Sequence, residues 1–345
     1  MPHASGLILV TGATGFTGGH LARTLKRRGH RVRALVRDIE KARDLDREGI
    51  ELVEGDIRSP DDVMRAACDV ERIYHIAAVF RTAGHPDSYY HEVNVRGTEN
   101  VLKAAHKNNV HRIIHCSTVG VHGNVSMIPS DETAPYNPGD IYQVTKLEGE
   151  MRAQEAIARG APVVIFRPTG IYGPGDLRFL KLFRTIHSRR FRMFGDGRTF
   201  YHFTYIDDLI QGIILCGEHP NAVGQTYILG GDEYITLNDM VATIAQAVGV
   251  PPPRGHLPLW PLRIGATVCE TLCRPLGIDP PLHHRRIDFF VKNRAFTSAK
   301  AKQELGYAPA VSFAEGARRT AAWYFHSYLK SRDETPVART EKAGT

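Results

Sequence analysis

Cysteine is scarce in this sequence: 345 residues hold five, Cys68, Cys116, Cys216, Cys269 and Cys273, an odd number with no visible disulfide framework. Cys269 and Cys273 stand four apart, wider than the gap of a redox or zinc pair. Reduced, buried thiols are therefore expected, and with them a cytoplasmic location. Uninterrupted apolar runs are missing too. Leu257 to Ile278 is fairly apolar, but Arg263, Glu270, Arg274, Pro258, Pro261 and Pro275 break it, and a spanning helix needs about 20 apolar residues. Membrane contact is not expected. Met1 to Gly6 shows no basic region leading into a long apolar stretch, so no signal peptide is expected. No run of lysine and arginine exceeds three residues, and neither zinc spacing nor a helix-turn-helix signature is present. These absences exclude nucleic acid as the main ligand despite a net charge of +7. The charge suits phosphate-bearing small molecules equally well. No pair among the 17 histidines has metal-ligand spacing with a supporting acid or cysteine, so no metal is expected. No internal repeat is seen.

What is present is a full hydrophobic complement, 42% of residues, arranged as strand and helix patterns in alternation. Strands are predicted at Leu7 to Thr11, Val32 to Val36, Ile50 to Val53, Ile73 to Ala77, Ile113 to Ser117 and Val163 to Phe166. Helices are predicted at His20 to Arg28, Tyr90 to Lys107 and Tyr142 to Arg159. Such alternation implies right-handed crossovers and a parallel sheet. After Arg167 the pattern loosens, with a strand at Phe203 to Ile206 and a helix to Cys216 capped by Asp207. Further helices follow at Thr236 to Val248, Ser298 to Leu305 and Ser312 to Tyr328, with Thr236 as a cap. The expected class is α/β: a Rossmann-type, doubly wound parallel sheet with a smaller C-terminal lobe. Residues 1–167 would form mainly the first, residues 168–330 mainly the second, and 331–345 a disordered tail.

The first strand runs into Thr11-Gly12-Ala13-Thr14-Gly15-Phe16-Thr17-Gly18-Gly19. Glycines at this spacing make a tight turn, admit a pyrophosphate against the backbone and let the helix pack close to the strand. The helix N-terminus then faces the anion. The position between a strand and a helix makes this a dinucleotide site, with Gly12, Thr14, Gly15, Phe16 and Gly18 against the cofactor. An acid at the end of the second strand would accept the ribose hydroxyls of NAD, whereas an arginine there accommodates the phosphate of NADP. The strand ends Val36-Arg37-Asp38. Arg37 makes NADP the favoured cofactor over NAD; Asp38 either serves the ribose or caps the next helix. Asp56 and Ile57 are candidates for the adenine edge, or form only a turn.

Tyr142 and Lys146 lie four apart on one helical face. A phenol is a poor base at neutral pH, but a neighbouring ammonium favours the phenolate. The tyrosine then exchanges a proton with a substrate oxygen while hydride moves at carbon. A third group, a hydroxyl at the end of the fifth strand, should bond that oxygen: the run reads Cys116-Ser117-Thr118-Val119-Gly120.

With these residues the chain resembles the extended short-chain dehydrogenase/reductases of the NAD-dependent epimerase/dehydratase type, with likeness to the 3β-hydroxysteroid dehydrogenase and dihydroflavonol reductase branches. The carrying segments are the glycine loop, His75-Ile76-Ala77-Ala78, Asn94-Val95-Arg96-Gly97-Thr98, Tyr142 to Lys146, Arg167-Pro168-Thr169-Gly170-Ile171-Tyr172-Gly173-Pro174, Tyr205 to Leu209 and Lys300 to Tyr307. The resemblance implies catalysis by Thr118, Tyr142 and Lys146, with Ser117 as the fallback hydroxyl. It implies that Ala77, Ala78, Asn94, Ser117 and Pro168 also attend the cofactor, Asn94 by supporting the active-site helix. It implies a homodimer built through two helices per subunit.

Two departures narrow the expected substrate. Val119-Gly120 follows the threonine where dehydratases of the family carry Asp-Glu. Tyr201 stands where nucleotide-sugar members carry a diphosphate-gripping arginine, a role that Arg198 or the Arg285-Arg286 pair would have to fill. The expected function is hydride transfer to or from a secondary alcohol or ketone carbon of a small molecule, with Phe80, Thr118, Tyr201 and Arg285 toward the substrate. The alternatives are a nucleotide-sugar epimerase with tightly bound NAD and, more remotely, a non-catalytic dinucleotide-binding module.

Overall fold

The computed structural model describes residues 6–80, 85–273 and 284–329. Its centre is a seven-stranded parallel sheet: β1 (Leu7–Thr11), β2 (Arg31–Val36), β3 (Glu51–Glu54), β4 (Val70–His75), β5 (Arg112–Cys116), β6 (Val163–Pro168) and, after β7 (Gly170–Tyr172), β8 (Met193–Phe194) and β9 (Phe200–Tyr205), β10 (Thr226–Leu229). The order across the sheet is β10-β6-β5-β4-β1-β2-β3. Every residue of β1 and β6 is buried, as a strand covered by helices on both faces requires. The direction of winding reverses between β1 and β4. A crevice therefore opens beyond their carboxyl ends, where doubly wound sheets bind ligands.

Several elements differ from the sequence expectations, each for a local reason. The fourth strand ends at His75 rather than Ala77, because the chain turns over the tip of β1: the Ile76 amide donates to the Thr11 carbonyl and the Ala77 amide to the Thr11 hydroxyl. A helix at Pro60–Ala66 was not expected, although Ser59 caps it and proline opens it. Asp207 is not a cap. The helix Ile206–Glu218 starts one residue earlier, and no side chain caps it. The adjacent Asp208 is spent on the Ala310 and Val311 amides, at 3.0 Å each. Thr236 does cap the helix Leu237–Ala247, accepting from the Asp239 amide. The strand β10 had no counterpart in the expectations; its four residues are too few to show a period, and tertiary pairing with β6 decides their state.

The chain after β6 divides its residues between the two regions. β9 pairs with β7 on one side and with β11 (Tyr234–Thr236) on the other in a separate small sheet, while β10 returns to the large one. The Leu257 to Ile278 stretch begins as β12 (His256–Leu257) and the helix Trp260–Cys273; residues 274–278 lie outside the described residues, as does the expected tail from 331. Among the described residues no helix is long and apolar enough to cross a membrane.

Candidate functional site

A cleft of about 840 Å³ runs over the carboxyl ends of the sheet and on beneath the C-terminal lobe. Its first end is the glycine loop. Gly12 has φ +76°, the left-handed region, and a Cβ there would lie 2.7 Å from the Ala77 amide nitrogen. A Cβ at Gly18 would fall 2.2 Å from the Gly12 carbonyl oxygen. Strand, turn and helix are thus closer than any side chain permits. Gly15 precedes the helix Phe16–Arg27, and no side chain caps that terminus. Its amides and dipole face a cleft wall formed by Thr14, Gly15, Phe16, Thr17 and Gly18. These residues fit a dinucleotide's pyrophosphate.

Val36, Arg37, Asp56 and Ile57 line the same end, at the tips of β2 and β3. Arg37 donates to the Tyr89 hydroxyl at 2.9 Å. Asp38 is outside the cleft lining; its carboxylate accepts from the Lys41 amide and pairs with the Lys41 ammonium at 3.0 Å. Its carboxylate is thus engaged by Lys41, while Ile39 holds the cap position of the following turn, Glu40–Ala42, with no side-chain cap bond. Asp56 is engaged by Arg58 at 2.9 Å. Burial opposes its ionisation, but the Arg58 bonds prevail and hold its carboxyl below the ordinary range.

At the centre, Ala77, Ala78, Phe80, Ser117, Thr118, Tyr142, Lys146 and Pro168 all line the cleft. The helix Ile141–Ala158 carries the pair four apart, and Asp140 caps it by accepting from the Gln143 amide at 2.9 Å. The Tyr142 ring meets the Phe80 ring edge-on at 4.9 Å. Lys146 is 3% exposed, and its ammonium donates to the Cys116 carbonyl. Burial lowers its pKa; Cys116 and then Glu150 oppose that shift. The Thr118 oxygen accepts from the Gly120 amide at 3.0 Å, which leaves its own proton to donate. Ser117 is placed differently from a reacting hydroxyl. It is 1% exposed and its hydroxyl donates to Glu150.

Asn94 does not line the cleft. Its amide accepts from the Val79 N–H at 2.9 Å and donates to the Val79 carbonyl and the Thr145 hydroxyl. It joins the loop after β4 to the helix that carries Tyr142. A wider π-type turn at Glu92–Arg96, within the helical stretch from Asp87 to Lys107, holds it there.

Behind the lysine lies a network the sequence reading missed. Glu150, fully buried one turn beyond Lys146, receives two bonds from Arg167, 2% exposed at the foot of Pro168. Arg167 also donates to His122, to the Glu132 carbonyl and to Tyr136. Burial alone would neutralise Glu150, yet the Arg167 bonds hold its carboxyl low. The Glu150 spacing of four from Lys146 was the available signal. A buried histidine pair lies on the other side. His75 bonds Thr11 and Thr98 and is pushed down to about 3 by burial and then by Lys146.

The far end of the cleft is aromatic. Tyr201, Phe203, Phe289 and Phe296 form its walls, with Lys292 and Arg294 among them; Arg178 lies nearer the first end, over the Phe16 and Phe80 rings at 5.8 and 5.5 Å. Tyr201 lies stacked on Phe203 with ring centres 5.8 Å apart, and its hydroxyl donates to the Phe289 carbonyl. Arg198 does not line the cleft, and the Arg285 side chain lies outside the described residues. Among the described residues no group of three histidine, cysteine or acidic side chains is arranged to hold a metal.

Residues 8–230 match the family model for the NAD dependent epimerase/dehydratase family. The chain is 30% identical to a 3β-hydroxysteroid-dehydrogenase/decarboxylase isoform 1 of Arabidopsis thaliana, over 96% of this chain and 82% of that protein. It is 32% identical to a 2-alkyl-3-oxoalkanoate reductase of Stenotrophomonas maltophilia, over 91% and 98%. Among solved structures it is similar to a UDP-glucuronic acid 4-epimerase of Bacillus cereus in complex with UDP-glucuronic acid and NAD. That likeness has a TM-score of 0.73 and 26% identity over 92% of this chain and 98% of that one.

Proposed function

The chain belongs to the NAD-dependent epimerase/dehydratase family and is an extended short-chain dehydrogenase/reductase, and from that premise we propose that it is an NADP-preferring reductase or dehydrogenase of a ketone or secondary alcohol on a bulky, apolar skeleton. The observation that carries the reading is the joining, in one cleft, of a Tyr142–Lys146 face with an aromatic far end in which Tyr201 takes the expected arginine's place. The relatives' named activities, on 3β-hydroxysteroids and 2-alkyl-3-oxoalkanoates, are of this chemical kind.

A bound nicotinamide dinucleotide supplies or takes up hydride; the proton belongs to the protein. Tyr142 exchanges it with the substrate oxygen, as acid in reduction and as base in oxidation. Lys146 makes that exchange accessible near neutral pH by favouring the phenolate. The Cys116 carbonyl fixes the ammonium, and Glu150 favours its charged form against burial. Thr118 donates its free proton to the same oxygen, placing the reacting carbon by a second bond. At the adenosine end Arg37 is the group for a ribose phosphate, while Asp38 is spent on Lys41.

A panel of apolar ketones with NADPH and NADH tests this. NADPH should bind more tightly than NADH. Tyr142→Phe should lower kcat by about 100-fold or more while leaving NADPH binding intact. Unchanged turnover in Tyr142→Phe contradicts the mechanism, and tighter NADH contradicts the cofactor preference. A second reading, epimerisation of a nucleotide sugar on retained NAD, is favoured by the likeness to the epimerase structure.

A further inference from the structure

Cations that line the cleft differ in what neutralises them. Arg178 is held by Asp176 through contacts of 2.7 and 3.0 Å. Lys292 pairs with Asp288 at 2.8 Å. Arg294 is different: among the described residues it has no ion pair, and its side chain makes a single hydrogen bond, from Nη1 to the Tyr201 hydroxyl at 3.0 Å. Its Nε and Nη2 edges have no partner among those residues.

That guanidinium is nevertheless held in place. The Arg294 amide donates to the Phe200 carbonyl at 2.8 Å, which pins the base of the side chain. The guanidinium lies 5.5 Å over the Tyr201 ring. Tyr201 gives its own proton to the Phe289 carbonyl, so its oxygen presents a lone pair to Arg294. Burial, against the opposing effect of Arg294, pushes the phenol up to about 12. Tyr201 therefore orients the cation without neutralising it. The neighbouring walls are Phe203, Phe289 and Phe296. A half-buried cation without a counter-charge lacks part of its solvation, and a bound anion restores it. A planar fork with an open edge matches a carboxylate's two oxygens.

We propose that Arg294 is a specificity-determining residue that binds a carboxylate on a substrate whose remainder is apolar. The charge count favours a carboxylate over a nucleoside diphosphate. Among the described residues one cleft cation at this end lacks a counter-charge, a nucleoside diphosphate brings at least two negative charges, and the surfaces beside the cation are aromatic rings. The inference rests on the reading of this cleft as the site of ketone or alcohol redox chemistry.

Titration of the NADP-loaded enzyme with decanoate, decanamide and UDP tests it, in the wild type, Arg294→Met and Arg294→Lys. The wild type should bind decanoate about tenfold or more tighter than decanamide, the range of a charge-assisted hydrogen bond. Arg294→Met should abolish that ratio while leaving decanamide binding unchanged, and Arg294→Lys should keep part of it. Four results overturn the inference: equal binding of acid and amide by the wild type, no binding of decanoate, equal weakening of both ligands in Arg294→Met, or binding of UDP in preference to decanoate. The wild-type ratio decides even where Arg294→Met folds poorly. Turnover of neutral ketones by the wild type keeps the two claims apart. Ketone reduction without acid preference sinks the carboxylate and spares the hydride-transfer reading, whereas failure to reduce any ketone sinks that reading.

Discussion

Lys146 and His75 show how burial divides charge among neighbouring residues. Both are enclosed, and the Lys146 charge adds to burial in disfavouring a proton on His75. Lys146 has compensation in the Cys116 carbonyl and the Glu150 carboxylate. His75 has only neutral hydroxyl partners, and the conflict resolves by leaving it uncharged. The histidine therefore links stability to pH. In the unfolded chain it takes up a proton below its ordinary 6.5, but in the folded chain only near 3. Across that window the unfolded state binds more protons, so stability is full above the unfolded value and is lost as pH falls through the window. The urea midpoint should fall between about pH 7 and about pH 5, and His75→Gln should flatten that decline. A midpoint that rises on acidification, or an identical slope in the variant, contradicts this assignment.

At the scale of elements, the glycine turn and the helix Phe16–Arg27 act as one unit, because Gly18 sits against the Gly12 carbonyl. Gly18→Ala must push the helix away from the strand and carry its amide terminus off the pyrophosphate position. Binding of NADPH should weaken by about tenfold or more, the scale of losing charge-assisted amide bonds, and fluorescence titration measures it. Unchanged affinity shows that the terminus does not hold the cofactor. This unit was legible in the sequence because its chemistry is local: a strand, three glycines at fixed spacing and a helix. The Tyr142–Lys146 face was legible for the same reason. Asn94 was expected, through the resemblance, to support the active-site helix, and it bonds Thr145 there. Glu150 and Arg167 were not legible, since what each does depends on partners distant in sequence; Arg167 alone bonds residues 17 to 45 positions away. The resemblance placed the reacting hydroxyl at Thr118 with Ser117 as the fallback, but the residues themselves gave no physical reason for the choice. Only the fold shows that Glu150 takes the first hydroxyl and leaves the second facing the cleft.

Over the whole molecule, the sheet places the two ends of the reaction side by side. Its switch of winding opens the cofactor end above β1 and β4. The chain beyond β6 supplies the aromatic far end from β9 and the segment from Asp288 to Phe296. Because β10 returns to pair with β6, the two regions are interleaved in sequence and share one cleft. A dehydrogenase or reductase must release its spent cofactor after each turnover, whereas an epimerase regenerates its NAD within the site. The most direct test of the account is to denature the purified protein and identify by mass spectrometry what nucleotide it releases. The account predicts less than one nucleotide per chain, with NADP(H) prevailing over NAD(H). Release of NAD in a one-to-one ratio contradicts it and makes the chain an epimerase.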